Sequence, residues 1–174
     1  MVFTNFLDMV EDKFGIETVD AIIEDSDIPS GGSYTAVGTY PHTEMVALLV
    51  SLEKAVSIPI PQLMKVYGEH LFGILANGYP VLLEGCETSR ALLKKLDGVI
   101  HVEVQKLYPD AELPRFKAIE KPDGKLEMHY LSDRHMEDLA EGLLTGCFLH
   151  FNEKANITRE SGYDETIVFT ISYE

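Results

Sequence analysis

Residues 115–131 read RFKAIEKPDGKLEMHYL, and this stretch decides the fold. RFKAIEK and KLEMHYL each alternate apolar and polar side chains, and PDG at 122–124 lies between them. Alternation with period two marks a half-buried strand, and a Pro-Asp-Gly turn joins two such strands into a hairpin. Downstream, MEDLAEGLLTGCFLHFNE (136–153) carries Leu139, Leu143, Leu144, Phe148 and Phe151 at helical spacing. NITRE (156–160) and ETIVFTISY (165–173) then read as two further strands with SGYD between them. The C-terminal half is therefore strand, strand, helix, strand, strand. It predicts a four-stranded, largely antiparallel sheet packed against helices.

Upstream of Pro114 the pattern is helical. Spans are expected at 2–13, 18–25, 43–56, 60–74 and 88–107. Val2, Phe3, Phe6, Leu7, Val10 and Phe14 share one face of the first. Thr43 precedes an apolar periodic run, and Pro59 and Pro61 sit where a helix can begin. Thr88-Ser89 opens RALLKKLDGVIHVEVQKL, in which Leu93, Leu96, Ile100, Val104 and Leu107 form a stripe at spacings of three and four. The fold class is α/β in the mixed α+β sense: a helical N-terminal part followed by a sheet with helices.

The chain has 174 residues, 45% hydrophobic and 25% charged, as a soluble globular protein of one domain or two subdomains would. Its most apolar run, MVALLV (45–50), is bounded by Glu44 and Ser51 and is far too short for a membrane span. The N-terminus has no basic region before an apolar segment, so it does not read as a signal peptide, and a cytoplasmic location is expected. The 29 acidic and 14 basic residues give a net charge of −15. That disfavours a nucleic-acid backbone or an anionic membrane as partner, because both need clustered Lys and Arg. Cys86 and Cys147 make no CxxC pair and no zinc spacing, and read as two free, buried thiols.

Of the six histidines (42, 70, 101, 129, 135 and 150), no pair has the HExxH spacing, and no GxSxG elbow supports a serine hydrolase. SGGS (30–33) lacks the Lys-Ser/Thr of a phosphate loop and reads as a flexible connection. His101 stands out by its setting. It lies near the end of a helix with one apolar face, and YPDAELP (108–114) then fixes the direction of the chain twice. One reading is a histidine placed on a helix C-terminus by the dipole; the other is a ligand to something bound. In YLSDR (130–134), alternation at a strand end would send Tyr130, Ser132 and Arg134 to one side. This is either a solvated strand end with a surface Arg or a carboxylate clamp of two hydroxyls and a guanidinium. An axial histidine, apolar helices and a carboxylate clamp together describe a haem pocket, which needs an iron ligand, hydrophobic walls and partners for two propionates.

With those residues in view, the sequence resembles the haem-nitric oxide/oxygen-binding (H-NOX) domains, bacterial stand-alone type, relatives of the sensor domain of soluble guanylate cyclase. The family pairs a proximal histidine with a proline thirteen residues on, matched here by His101 and Pro114, with Tyr108-Pro109 as the preceding aromatic-proline pair. The Tyr-x-Ser-x-Arg motif is met by Tyr130, Ser132 and Arg134. GLLTG (142–146) in the following helix also resembles the family, and FLDMVEDKFG near the N-terminus does so more loosely.

The resemblance covers essentially the whole chain. It implies a single haem domain over 1–174, with a helical subdomain over about 1–60 and a haem-ligating α/β subdomain over about 61–174, haem b (iron protoporphyrin IX) being buried between them. It gives His101 as the axial iron ligand, Tyr130, Ser132 and Arg134 as holders of the propionates, and Pro114 as the residue pressing on the porphyrin. Family members that hold oxygen stably carry a distal tyrosine where this chain has Leu139. The C-terminus YDETIVFTISYE has no cysteine, so the zinc site of some members is not expected. The resulting expectation is a gas sensor, not an enzyme, that binds nitric oxide and carbon monoxide at ferrous haem without stable oxygen binding. In the family nitric oxide weakens or breaks the iron–histidine bond, and output passes to a histidine kinase or a cyclic-di-GMP enzyme. The rivals are a haem or small-ligand transporter without signalling output, a haem enzyme such as a peroxidase, and an interaction domain without haem.

Overall fold

The computed structural model describes residues 1–107, 109 and 111–174. Its helices are α1 (Val2–Phe14), α2 (Ile16–Asp25), α3 (His42–Val56), α4 (Ile60–Gly78), α5 (Ser89–Lys95), α6 (His101–Leu107) and α7 (Glu137–His150). Its strands are β1 (Arg115–Glu120), β2 (Leu126–Leu131), β3 (Ala155–Ser161) and β4 (Ile167–Tyr173). The sheet is antiparallel throughout, in the order β1-β2-β4-β3, as the alternation predicts. The Pro-Asp-Gly turn closes the first hairpin: Lys121 and Lys125 bond across it, and Gly124 takes a positive φ of 83°. Leu126, Met128 and Tyr130 of β2 point to the buried face.

The helices depart from the sequence reading in instructive ways. α3 starts at His42 rather than Thr43, after Pro41. α4 runs on to Gly78, and a short 3₁₀ turn follows at Pro80–Leu83. The span expected as one helix over 88–107 is helical without interruption from Ser89 to Leu107, but its winding changes midway. After α5, which Thr88 caps by accepting from the Ala91 N–H at 3.2 Å, the chain makes a π-helical turn over Leu96–Ile100 before α6 begins. His101 follows that turn inside the helical run, six residues before its end at Leu107, so it lies outside the last turn where the dipole reading would place it. SGGS is also no loose connection. Gly31 and Gly32 supply positive φ values of 57° and 78°, and the Ser30 hydroxyl donates to the buried Glu44 carboxylate. Tyr34 donates to that carboxylate too, at 2.8 Å.

Two apolar clusters form. One gathers Phe6, Met9, Val10, Leu48, Leu52 and Leu63, with α4 supplying Tyr67 and Leu71 as well. The other gathers Leu126, Met128, Leu144, Cys147, Phe169 and Ile171. Each large apolar side chain so buried contributes roughly 1.5–3 kcal/mol. α4 crosses α7 at very short range. A Cβ on Gly142 would lie 2.1 Å from the Lys65 carbonyl oxygen, and one on Gly68 would lie 2.4 Å from that of Leu139. Only glycine permits that approach, and the Lys65–Glu141 ion pair at 2.6 Å spans the same crossing. Among the described residues no single helix is long and apolar enough to cross a membrane. α3 and α4, which pass on length and composition only as a pair, are bent by 110°.

Candidate functional site

A cavity of about 560 Å³ opens between the helices and the sheet. Its walls are mainly apolar. α4 supplies Met64 and Leu71, α7 supplies Leu139 and Leu143, and the π turn and its flanks supply Leu93, Leu96, Ile100 and Val104. Most of the stripe read from the sequence thus faces this space. His101, Pro114, Tyr130, Ser132, Arg134 and Leu139 all line it. The structure therefore brings together every site residue read from the sequence that lies in the described part of the chain. Tyr108, of the aromatic-proline pair, lies outside the described residues.

His101 is held on one wall. Its side chain is 17% exposed, its Nδ1 lies 3.3 Å from Asp97 Oδ1, and its ring centroid is 5.9 Å from that of Phe116. Burial lowers the affinity of the ring for a second proton, against the opposing pull of Asp97 and of the Pro114 carbonyl. The balance favours neutral imidazole, which is the form that ligates a metal. Phe116 pairs with Tyr130 across the β1–β2 ladder, and their rings are 5.2 Å apart. A run of aromatic contacts thus joins His101 to the clamp.

The clamp is built differently from the strand alternation expected for it. Tyr130 is the penultimate residue of β2, while Ser132 and Arg134 lie in the turn that follows. The turn bends back on itself. The Arg134 N–H donates to Ser132 Oγ at 3.2 Å, and the Met136 N–H donates to the Tyr130 hydroxyl at 3.3 Å. Burial pushes the Tyr130 phenol up, with the Ser132 hydrogen bond opposing, so the hydroxyl stays protonated and able to donate. Arg134 Nη2 meets Glu112 Oε2 at 2.5 Å, so the guanidinium already holds a carboxylate at the cavity rim.

Leu139 offers the cavity no hydrogen-bond donor. Among the described residues two tyrosines besides Tyr130 line the cavity, and both hydroxyls are engaged. Tyr67 donates to the Val2 carbonyl at 2.6 Å, and Tyr40 accepts from the Thr35 N–H at 2.8 Å. His42 also lies on the wall, but it is solvent-exposed at the start of α3. His70 does not line the cavity.

Sequence reasoning missed Asp97 and Glu112. Asp97 reads as one more acidic residue four before His101, and that i, i+4 spacing was the available signal. Glu112 lies 22 residues from Arg134, and no local pattern could have joined them. An imidazole on one wall, apolar helices around the space, and a guanidinium with two hydroxyls at the rim fit a flat, apolar dicarboxylate with a central metal, which is haem.

The comparisons agree. The family model described as Haem-NO-binding matches residues 1–159. The chain is similar to an H-NOX protein from K. algicida solved in its Fe(II) unliganded form. Identity is 42% over 99% of this chain and 95% of that one, with a TM-score of 0.92. It is also similar to the H-NOX from Shewanella woodyi solved in the Fe(II)CO state with IWP-051 bound. There identity is 40% over 100% and 93% of the two chains, with a TM-score of 0.86. An S. oneidensis H-NOX protein in the Fe(II)NO state is 25% identical over 99% and 97%, with a TM-score of 0.92. No curated protein sequence matches. The chain belongs to the H-NOX family of haem-binding gas-sensor domains.

Proposed function

We propose that this protein senses nitric oxide at a ferrous haem b held through His101, also takes carbon monoxide, does not retain oxygen, and passes its state to a separate partner. The observation that carries this reading is the cavity itself, with His101 on one wall, the Tyr130-Ser132-Arg134 clamp at the rim and Leu139 within. Haem supplies, when bound, an iron that can take one diatomic gas. The chain does the rest. His101 holds the metal from one side through a neutral imidazole. Arg134, Ser132 and Tyr130 offer donors to two carboxylates. Arg134 must then share or exchange Glu112, its present partner. Pro114 lines the cavity and would lie against the macrocycle. The apolar helices exclude water.

Selectivity follows from what the walls lack. Bound oxygen carries partial negative charge and gains from a nearby donor, whereas nitric oxide bonds strongly without one. Leu139 offers none, and among the described residues the Tyr40 and Tyr67 hydroxyls donate elsewhere, to Thr35 Oγ1 and to the Val2 carbonyl. The relatives solved with nitric oxide and with carbon monoxide support the choice of gases. Release of His101 would free α6 to move against β1 and so present two different surfaces, which is what a switch requires. The chain acts as a sensor rather than an enzyme, and a histidine kinase or a cyclic-di-GMP enzyme is the proposed recipient. The net charge of −15 would steer a basic patch of that partner. A cytoplasmic setting suits this role.

The test is to reduce the purified protein and expose it in turn to nitric oxide, carbon monoxide and air. Distinct Soret shifts with the first two and none lasting in air are expected. A persistent oxy spectrum would overturn the selectivity, and the lack of any Soret band would overturn the haem reading.

A further inference from the structure

Asp97 belongs to neither motif, yet it sits at a junction. One of its oxygens, Oδ1, lies 3.3 Å from His101 Nδ1 and accepts from the Phe116 backbone N–H at 3.2 Å. It does so from the π-helical turn that immediately precedes His101. We propose that Asp97 is the positioning residue that sets how firmly His101 holds its ligand, by gripping the imidazole and the start of β1 with the same carboxylate oxygen. The proposal rests on the reading of His101 as the axial residue.

A half-exposed carboxylate four residues from a histidine is ordinarily a surface pair of little consequence, and the Asp97 side chain is 48% exposed. Two observations separate this one. His101 itself is mostly buried and faces the cavity. The same oxygen also takes a backbone donor from another element, so it cannot swing freely into solvent. Neutral imidazole has one N–H and one lone pair. A carboxylate accepting at Nδ1 fixes the N–H there and leaves the Nε2 lone pair as the ligating one. It also raises the basicity of that lone pair, as partners of metal-bound histidines do. The second bond ties this grip to the clamp. Phe116 is in register with Tyr130, so one carboxylate connects the axial residue to the strand pair that ends at the propionate-binding turn. The Pro114 carbonyl also acts on the His101 ring and is the rival acceptor.

The experiment compares wild type, Asp97→Asn and Asp97→Ala as ferrous, unliganded holoproteins by resonance Raman spectroscopy, reading the iron–histidine stretch. Asn keeps the shape and an uncharged acceptor, so the frequency should fall in the order wild type, Asp97→Asn, Asp97→Ala. With nitric oxide, release of histidine should quicken about tenfold in Asp97→Ala, the lower end of what losing such a partner costs. Glu103→Gln, which removes the carboxylate paired with Lys106 on α6, should leave both readouts unchanged. If Asp97→Ala folds poorly, the near-isosteric Asn variant still decides. A band that ignores both Asp97 substitutions overturns the proposal and leaves the acceptor role to Pro114. A band that persists in His101→Gly overturns the axial reading itself, which is a distinct failure.

Discussion

At the scale of single residues the cavity turns on a few atoms. Arg134→Ala should weaken haem retention more than Ser132→Ala, because a charge-assisted hydrogen bond contributes about 1.5–3 kcal/mol against about 0.5–1.5 for a neutral one. Tyr130→Phe should resemble the serine change. Haem occupancy after dialysis, read from the Soret absorbance per protein, checks the order, and equal occupancy across the three would show that they do not hold propionates. Leu139→Tyr puts a phenol in place of an apolar side chain on the cavity wall, so the variant should retain oxygen in air longer than wild type. An oxy spectrum no longer-lived than that of wild type would remove Leu139 from the distal side. His101, Pro114 and the clamp were legible in the sequence because their spacing is itself the signal. Asp97 was not, since its meaning depends on Phe116, nineteen residues away on a strand.

At the scale of elements, the β half was readable because the alternation and the turn residues agree: each strand has an inward row, and Gly124 sits where positive φ is needed. The helix over 88–107 was readable in extent but not in its winding. Its stripe of Leu93, Leu96, Ile100 and Val104 satisfies helical periodicity through the π turn, so nothing local announces the change of winding. The clamp was legible as a set but not as a shape, because Ser132 and Arg134 leave the strand for a turn held by side-chain to backbone bonds. The α4–α7 crossing makes its own prediction. Gly142→Ala places a methyl on the Lys65 carbonyl, and the two helices must separate. A loss of about 1–3 kcal/mol in unfolding free energy is expected, the range for overpacking a closely packed contact. Chemical denaturation checks it, and an unchanged midpoint would mean that the crossing has slack. Pro114→Ala should leave haem bound but less distorted, as out-of-plane bands in the resonance Raman spectrum would report; unchanged bands would deny Pro114 that role.

At the scale of the whole molecule, two apolar clusters meet around one cavity, and His101, Pro114, Tyr130, Ser132, Arg134 and Leu139 converge there from α6, the approach to β1, β2, the turn after it and α7. No composition statistic could place that cavity. The central claim is that His101 is the axial ligand, and His101→Gly tests it most directly. The absorption spectrum of the reduced variant is compared with wild type, before and after adding imidazole. Loss of the wild-type ferrous spectrum is expected, with return toward it when imidazole fills the vacated place. A reduced spectrum unchanged from wild type, with no response to imidazole, would contradict it.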